Sequence, residues 1–228
     1  MKRATLLALS FALLFSAVVV ADDQFPPDWR GQPRTVTALW DYWGPEGLGP
    51  RILQQTESQL VQANPGGFTT PFPAWAYFDS GVYCHDQLQG RNSVLEVNDN
   101  GMLSFRLENY PGGTEKTVLV QVTFLPGGGA PMQFGVWTSD TDPGDPPWPF
   151  FDFVSAVTMN SYQHADGWQT NQYGFTLNTN PRFEGFSILF TEYPAFIDQV
   201  VIDTWCIPEP TAGALLAIGG LLAMRRRA

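Results

Sequence analysis

Three aspartates in one short loop are the residues best suited to binding a metal ion. Asp140, Asp142 and Asp145 lie in the segment Asp-Thr-Asp-Pro-Gly-Asp. Because Ca²⁺ prefers oxygen ligands, carboxylates that alternate along a tight turn can converge on one ion. The loop lacks the full length and the bidentate glutamate of an EF-hand, and Asp, Pro and Gly are also common in solvated turns. A calcium site and an ordinary turn both remain open, and we expect no other cofactor.

Trp148 follows this loop, in the segment Asp-Pro-Pro-Trp-Pro-Phe-Phe at 145–151. The prolines prevent regular strand pairing, so the segment is predicted to project as a loop. An indole ring that projects into water is unfavourable without a partner, which makes Trp148 a candidate platform for stacking a sugar ring. The alternative is a ring that folds back over the edge of the domain, and most other tryptophans are expected in the core.

Known catalytic motifs are absent from the sequence, which contains no nucleophile elbow, zinc-protease helix, Walker loop or dinucleotide fingerprint. The two histidines, His85 and His164, are too few for a rich metal site and are predicted to be surface or loop residues. A pair of acids suited to glycoside hydrolysis cannot be chosen from sequence, because the choice depends on their separation. We therefore predict a protein that is not an enzyme.

Short β-strands are the elements that must position these residues. Apolar alternation between turn residues predicts strands at 35–43, 75–78, 93–97, 102–107, 117–125, 132–138, 153–159, 172–177, 182–190 and 196–204. The segment 52–63 is compatible with a short helix or an edge strand. About nine or ten strands with almost no helical periodicity predict an all-β fold, a two-layer antiparallel β-sandwich of jelly-roll type.

Two strand predictions are specific enough to be tested residue by residue. The turn at 98–101 contains Asn100-Gly101, which favours the positive φ angles of a hairpin, so 93–97 is expected to pair with 102–107. Strand 117–125 is expected to alternate between a core face and a solvent face. The core face comprises Val118, Val120, Val122 and Phe124, and the solvent face comprises Thr117, Gln121 and Thr123.

The net charge of the chain disfavours some classes of binding partner. The formal net charge is −10, and five of the twelve basic residues lie within the first three and last four positions, so the region between is more acidic still. Nucleic acid and anionic lipid both select for Lys and Arg and are therefore disfavoured. Polysaccharides and divalent cations remain as candidate partners.

The N-terminus has the three parts of a secretory signal peptide. Lys2 and Arg3 form the charged region, 4–18 is apolar, and 19–21 is Val-Val-Ala. Small residues at this position predict cleavage before Asp22. An uncleaved N-terminal anchor is the alternative.

The C-terminus has a second tripartite segment, at 208–228. Its motif residues are Pro208, Glu209 and Pro210, its apolar run is 211–224, and its arginines are Arg225, Arg226 and Arg227. A run of this length falls short of the roughly 20 residues that span a bilayer comfortably, so we expect a temporary membrane helix. The arginines would be held in the cytoplasm, and the prolines would keep the motif extended and accessible to a processing enzyme.

This tail resembles the bacterial PEP-CTERM sorting signal, in which a Pro-Glu-Pro motif, a short apolar helix and an arginine cluster end an exported protein. The resemblance implies an exosortase as the processing partner, with Pro208, Glu209 and Pro210 as recognition residues and the arginines as a cytoplasmic stop. It also implies export, transient anchoring in the inner membrane and release to the cell surface. A core helix is the alternative, although an apolar run with no polar face fits that role poorly.

The chain is thus divided into a signal peptide at 1–21, a β-sandwich domain at 22–207 and a sorting segment at 208–228. Both cysteines, Cys84 and Cys206, lie in the predicted exported region, and an even pair in an oxidising compartment predicts one disulfide. Cys206 is placed just after the last strand. A nucleophilic Cys84 beside His85 is the alternative, but adjacent strand residues point to opposite faces.

Three functional hypotheses follow. The first is an exported envelope or extracellular-matrix protein without catalytic activity. The second is a carbohydrate-binding module, which requires aromatic side chains along one exposed face or groove. The third is an extracellular hydrolase, which requires two carboxylates that converge in a cleft.

Overall fold

The computed structural model describes residues 23–32, 34–54, 60–61, 74–99, 101–108, 115–139, 141, 152–154, 156–178, 181 and 183–207. These residues form an all-β structure of two antiparallel sheets. In chain order, the strands are β1 (Thr35–Trp40), β2 (Gly47–Leu48), β3 (Arg51–Gln54), β4 (Leu60–Val61), β5 (Trp75–Phe78), β6 (Val82–Leu88), β7 (Arg91–Val97), β8 (Leu103–Glu108), β9 (Glu115–Phe124), β10 (Pro131–Ser139), β11 (Asp152–Val154), β12 (Val157–Gln163), β13 (Gln169–Leu177), β14 (Phe183–Phe190) and β15 (Ala195–Ile207).

The larger sheet is built around β15, its longest strand. Its order is β12-β13-β9-β15-β7-β6-β2. β15 pairs with β9 along one edge, whereas its other edge pairs first with β7 at 195–197 and then with β1 at 200–205. The strand β4 extends the sheet beyond β1. The smaller sheet has the order β11-β10-β14-β8-β5-β3.

Apolar side chains from both sheets meet in one core, which confirms the predicted sandwich. The predicted inward set of β9 is buried, from Val118 to Phe124. The predicted solvent face is only partly correct. Gln121 and Thr123 are each 1% exposed. The chain near the N-terminus binds Gln121, and Thr123 shares a hydrogen bond with Thr170. Alternation identifies two faces of a strand, but it does not show which polar face is covered by another segment.

The predicted hairpin at 98–101 is wrong. The turn is formed, since Gly101 N–H donates to the Asn98 carbonyl at 2.8 Å. However, β7 belongs to the larger sheet and β8 to the smaller one, so the turn carries the chain across the sandwich. Gly101 does not have the expected positive φ angle.

A second crossing, between β5 and β6, lies directly against the first. Asn98 N–H donates to the Gly81 carbonyl at 3.1 Å. One carboxylate joins the two turns, because Asp79 Oδ1 accepts N–H groups from Gly81 at 3.0 Å and from Met102 at 2.9 Å. β5 then pairs with β8 in one sheet and β6 pairs with β7 in the other. The two crossings therefore form a pair of stacked arches.

Two other strand boundaries differ from prediction. The single strand expected at 153–159 is two strands, β11 in the smaller sheet and β12 in the larger one. The last strand continues through Ile207, so Cys206 lies inside β15, opposite Lys116, rather than after it. Between 52 and 63, the described residues are strands β3 and β4.

The predicted disulfide between Cys84 and Cys206 is also wrong. Both residues are buried thiols. Cys84 is paired across from Leu95, which is in turn paired with Ile197. Cys206 lies nine residues further along β15, which at about 3.3 Å per residue places it about 30 Å away, far beyond the roughly 7 Å that a disulfide allows. Two cysteines exported to the same oxidising compartment do not pair when the fold places them at distant positions along a long strand.

Candidate functional site

A segment at 23–32, here called the N-terminal strap, crosses the outer face of the larger sheet. Phe25 N–H donates to Gln121 Oε1 at 2.9 Å, and Gln172 Nε2 donates to the Phe25 carbonyl at 2.7 Å. Gln121 Nε2 also donates to Asp23 Oδ1 at 2.7 Å. These contacts use the outward-facing amides of β9 and β13 to hold the strap, which explains why Gln121 is buried.

Arg30 fixes the far end of the strap to β15. Its guanidinium binds Asp203 at 2.8 Å and 2.5 Å and also pairs with Asp23. Burial alone would lower the pKa of Arg30, but the hydrogen bonds with Asp203 and Asp23 raise it overall. Burial raises the pKa of Asp203, although Arg30 and the Thr37 hydroxyl, at 2.6 Å, oppose that change. The strap is therefore anchored by a buried ionic cluster.

The ring of Trp29 is held in a fixed orientation beside this cluster. It stacks on Trp205 with ring centroids 5.8 Å apart and an interplanar angle of 23°. Stacking covers one face of the indole, and Trp29 also borders an open groove. An aromatic ring braced in this way loses little further freedom when a ligand stacks on it.

The groove, here called the strap groove, has a volume of about 660 Å³ and lies between the strap and the strands β11 and β12. Its lining consists of Trp29, Thr117, Leu119, Val154, Val157, Met159, Gly174, Phe175 and Thr176. A Cβ atom at Gly174 would lie 2.4 Å from Met159 Sδ, so glycine lets the methionine pack against the sheet. Val157 and Met159 are largely exposed.

A more polar extension continues the groove along the strap. This extension, of about 330 Å³, shares Leu119 with the main groove and is also lined by Phe25, Pro26, Pro27, Asp28, Asn160 and Gln172. Asn160 Nδ2 donates to Gln172 Oε1 at 2.7 Å, and Gln172 is bound in turn to the strap. The side-chain amides of Asn160 and Gln172 are therefore held in fixed orientations in the extension. None of the described residues that line the groove or its extension is basic.

The other candidate residues fall into two groups. Asp140, Asp142, Asp145, Trp148, Pro208, Glu209, Pro210, Arg225, Arg226 and Arg227 lie outside the described residues. Within the described part of the chain, no three His, Cys, Asp or Glu side chains are grouped as metal ligands. The same part of the chain contains no helix of the length and apolarity needed to cross a membrane.

Cys84 and the histidines make structural contacts. Cys84 Sγ lies 3.3 Å from the Gly44 carbonyl in the core, where burial raises the pKa of its thiol. His85 lies on the opposite face, with Nε2 2.8 Å from Glu96 Oε2, so the two side chains do not form a nucleophile and base. His164 Nε2 lies 2.7 Å from the Thr170 hydroxyl.

Sequence reasoning missed the strap groove, although a signal for it was present. The sequence predicts most tryptophans other than Trp148 in the core, and 23–32 has no periodicity from which a strand could be predicted. Yet Trp29 follows Pro26-Pro27 much as Trp148 follows Pro146-Pro147. Prolines therefore mark Trp29 as a projecting ring in the same way as Trp148.

Comparison with known proteins gives little further information. No protein-family model matches the chain, and no curated protein does. One similar solved structure is a family GH115 4-O-methyl-α-glucuronidase with specificity for decorated arabinogalactans, at 15% identity and a TM-score of 0.30, with 50% of this chain covering 15% of that one. Another is a family 35 carbohydrate-binding module from Clostridium thermocellum, at 14% identity and a TM-score of 0.31, with 56% of this chain covering 90% of the module. Likenesses this weak carry no functional argument.

Proposed function

We propose that this chain is an exported bacterial surface or matrix protein that binds neutral polysaccharide in the strap groove and has no catalytic activity of its own. The observation that carries the proposal is the Trp29 ring, braced by Trp205 and bordering an open groove. The proposal develops the carbohydrate-binding alternative, with Trp29 in the role that sequence reasoning gave to Trp148.

The groove has the two kinds of surface that a sugar ring presents. A pyranose has an apolar C–H face, which packs well on an indole, and a rim of hydroxyl groups. The main groove supplies Trp29 and Met159 for the first, and the extension supplies Asp28, Asn160 and Gln172 for the second. Apolar pockets with a few placed polar groups are typical of ligand sites.

Charge favours a neutral polymer over an acidic one. The chain has a net charge of −10, and Asp28 is exposed in the extension. A polyanion would meet like charge without a basic side chain from the described lining to neutralise it. A neutral glycan needs only stacking and hydrogen bonds.

The arrangement of carboxylates supports binding rather than hydrolysis. Of the described residues that line the groove and its extension, Asp28 alone carries a carboxyl group, whereas glycoside hydrolysis ordinarily uses two. Buried acids elsewhere are engaged in ion pairs, with Asp203 bound to Arg30, Glu184 to Lys116 and Asp198 to Arg91. None of these three carboxylates lines the groove or its extension.

Export and sorting belong to the same proposal. They rest on the signal-like N-terminus and on the resemblance of 208–228 to the PEP-CTERM signal, with an exosortase as partner and the inner membrane as a temporary anchor. β15 ends at Ile207, directly before Pro208. A domain whose last strand ends there would be complete before a processing enzyme reached the motif.

Affinity electrophoresis in gels that contain a neutral polysaccharide tests the proposal. The wild-type protein should be retarded, and Trp29→Ala should weaken binding about fivefold or more, because truncating a tryptophan at the centre of a site typically costs over about 1 kcal/mol. Tyr42→Ala is a matched control, since Tyr42 is 59% exposed and is not part of the groove lining. Equal retardation of the wild type and Trp29→Ala would contradict the assignment.

A further inference from the structure

Lys116 and Glu184 form a fully buried pair between the two sheets. Lys116 lies on β9 of the larger sheet and Glu184 on β14 of the smaller one. Both side chains are 0% exposed, and Nζ lies 2.5 Å from Oε2. The pair is separate from the strap groove, and neither binding nor export gives it a role.

The surroundings of the pair are unfavourable for two full charges. Burial of an ion pair costs free energy that direct attraction recovers only when the remaining polar atoms are also satisfied. Among the described residues, Glu184 Oε1 has no hydrogen-bond partner of normal geometry, although the nearby Thr204 hydroxyl favours the charged carboxylate. Burial raises the pKa of Glu184, with Lys116 opposing that change. Movement of one proton from Nζ to the carboxylate would remove both charges at once.

We propose that Lys116 and Glu184 condense into an amide bond that cross-links the two sheets. The lone pair of the neutral Nζ atom attacks the carboxyl carbon of the protonated Glu184 side chain, and an N–C bond forms. One proton moves from nitrogen to the departing oxygen, the C–O bond breaks, and one water molecule leaves. The atoms balance without an oxidant, a cofactor or an activated donor.

The positions of the two strands favour this step. β9 is paired on both sides by β13 and β15, and β14 is paired on both sides by β10 and β8. The amine and the acid are thus held in contact, and effective concentrations of well-oriented groups reach on the order of 10⁵ M or more. The Thr204 hydroxyl interacts with the Glu184 carboxyl group and is a candidate donor to the negative charge that develops there.

Burial of the pair between the sheets also favours the amide product over the separate amine and acid. Amide formation removes two groups that are costly to bury as ions, and the released water leaves a dry core that does not readily return it. The bond would close a loop between positions 68 residues apart. It would supply the covalent connection between distant parts of the chain that the two cysteines do not make.

Mass spectrometry of the full chain, purified after reduction and denaturation, tests the proposal. Because the step uses only groups of the chain itself, it should occur in any expression host. We expect peptic digestion to yield one branched species in which the peptides that contain Lys116 and Glu184 are joined, with the loss of one water molecule. Recovery of the two peptides separate and unmodified would overturn the proposal, as would water loss that maps to another residue, such as an aspartyl succinimide.

Lys116→Arg provides the matched control, since it keeps the positive charge but lacks the amine that forms this bond. Its digest should contain no branched species, and its intact mass should equal that of its sequence after terminal processing. The wild-type digest decides the question even if this variant fails to fold. A branched species that persists in Lys116→Arg would overturn the assignment of the linked residues.

Discussion

At the scale of single residues, Asp198 shows how burial and pairing compete. Its Oδ2 lies 2.5 Å from Arg91 Nη1, while Arg91 also binds Asp166 at 3.0 Å and lies over the Trp168 ring. Burial raises the pKa of Asp198 to about 6 even though Arg91 opposes that change, and the nearby charges of Asp166 and Asp41 raise it further. The folded protein therefore holds this proton more tightly than the unfolded chain does.

The stability of the protein should consequently depend on the ionisation of Asp198. A raised pKa contributes stability that is present at low pH and is lost as the pH rises through the folded-state value. Between pH 3.8 and about 6, the free energy of unfolding of the wild type should fall by about 2–3 kcal/mol relative to that of Asp198→Asn, at 1.36 kcal/mol per pKa unit. Urea unfolding of both proteins across this range provides the measurement. Parallel pH profiles for the two proteins would contradict the expected role of this carboxyl group.

At the scale of elements, the stacked arches explain why local turn chemistry misled the prediction. The segment 98–101 forms a turn, as its residues favour, but nothing within it specifies whether the next strand returns to the same sheet. That choice depends on β5, β6 and the Asp79 carboxylate, which lie earlier in the chain. Strand positions such as β10 and β14 could be predicted because apolar runs bounded by turn residues are local signals. Their sheet partners could not, because pairing depends on distant segments.

The close approach of the two arches predicts a sensitive position at Gly101. A Cβ atom there would lie 2.7 Å from the Gly81 carbonyl oxygen, so Gly101→Ala must push the arches apart. We expect Gly101→Ala to lower the free energy of unfolding by about 1–3 kcal/mol, the usual range for overpacking in a rigid site. Gly127→Ala is the control, because a Cβ atom there would meet no atom of the described residues within 4 Å. Thermal unfolding should distinguish the two, and equal midpoints would count against the arch contact.

At the scale of the whole molecule, the sequence predicts more about the surface and ends of the protein than about the candidate site. The acidic surface can be predicted from the count of charged residues, and the sandwich can be predicted from the spacing of the strands along the sequence. The strap groove cannot be predicted in this way, because it is assembled from 23–32 and from strands β9, β11, β12 and β13, which approach one another only in the folded chain. Prolines around Trp29 mark a projecting ring, but only tertiary structure shows the groove that it borders.

The processing of the chain ends is a separate prediction at this scale. In a host that contains an exosortase, the surface fraction should lack 1–21 and the apolar segment that follows Pro210, because both are expected to be removed during export. Intact-mass measurement of that fraction checks the result. Recovery of surface protein that still ends in Arg227-Ala228 would contradict processing while leaving export intact.

Mapping a neutral oligosaccharide onto the protein by NMR tests the central claim most directly. The indole N–H resonance of Trp29 can be assigned by its absence from Trp29→Phe, and the methyl resonance of Met159 by its absence from Met159→Leu. Titration should shift these two signals together, while the indole signals of the fully buried Trp43 and Trp168 stay in place. A titration that leaves Trp29 and Met159 unchanged, or that shifts signals only outside the strap groove, would contradict the proposed binding site.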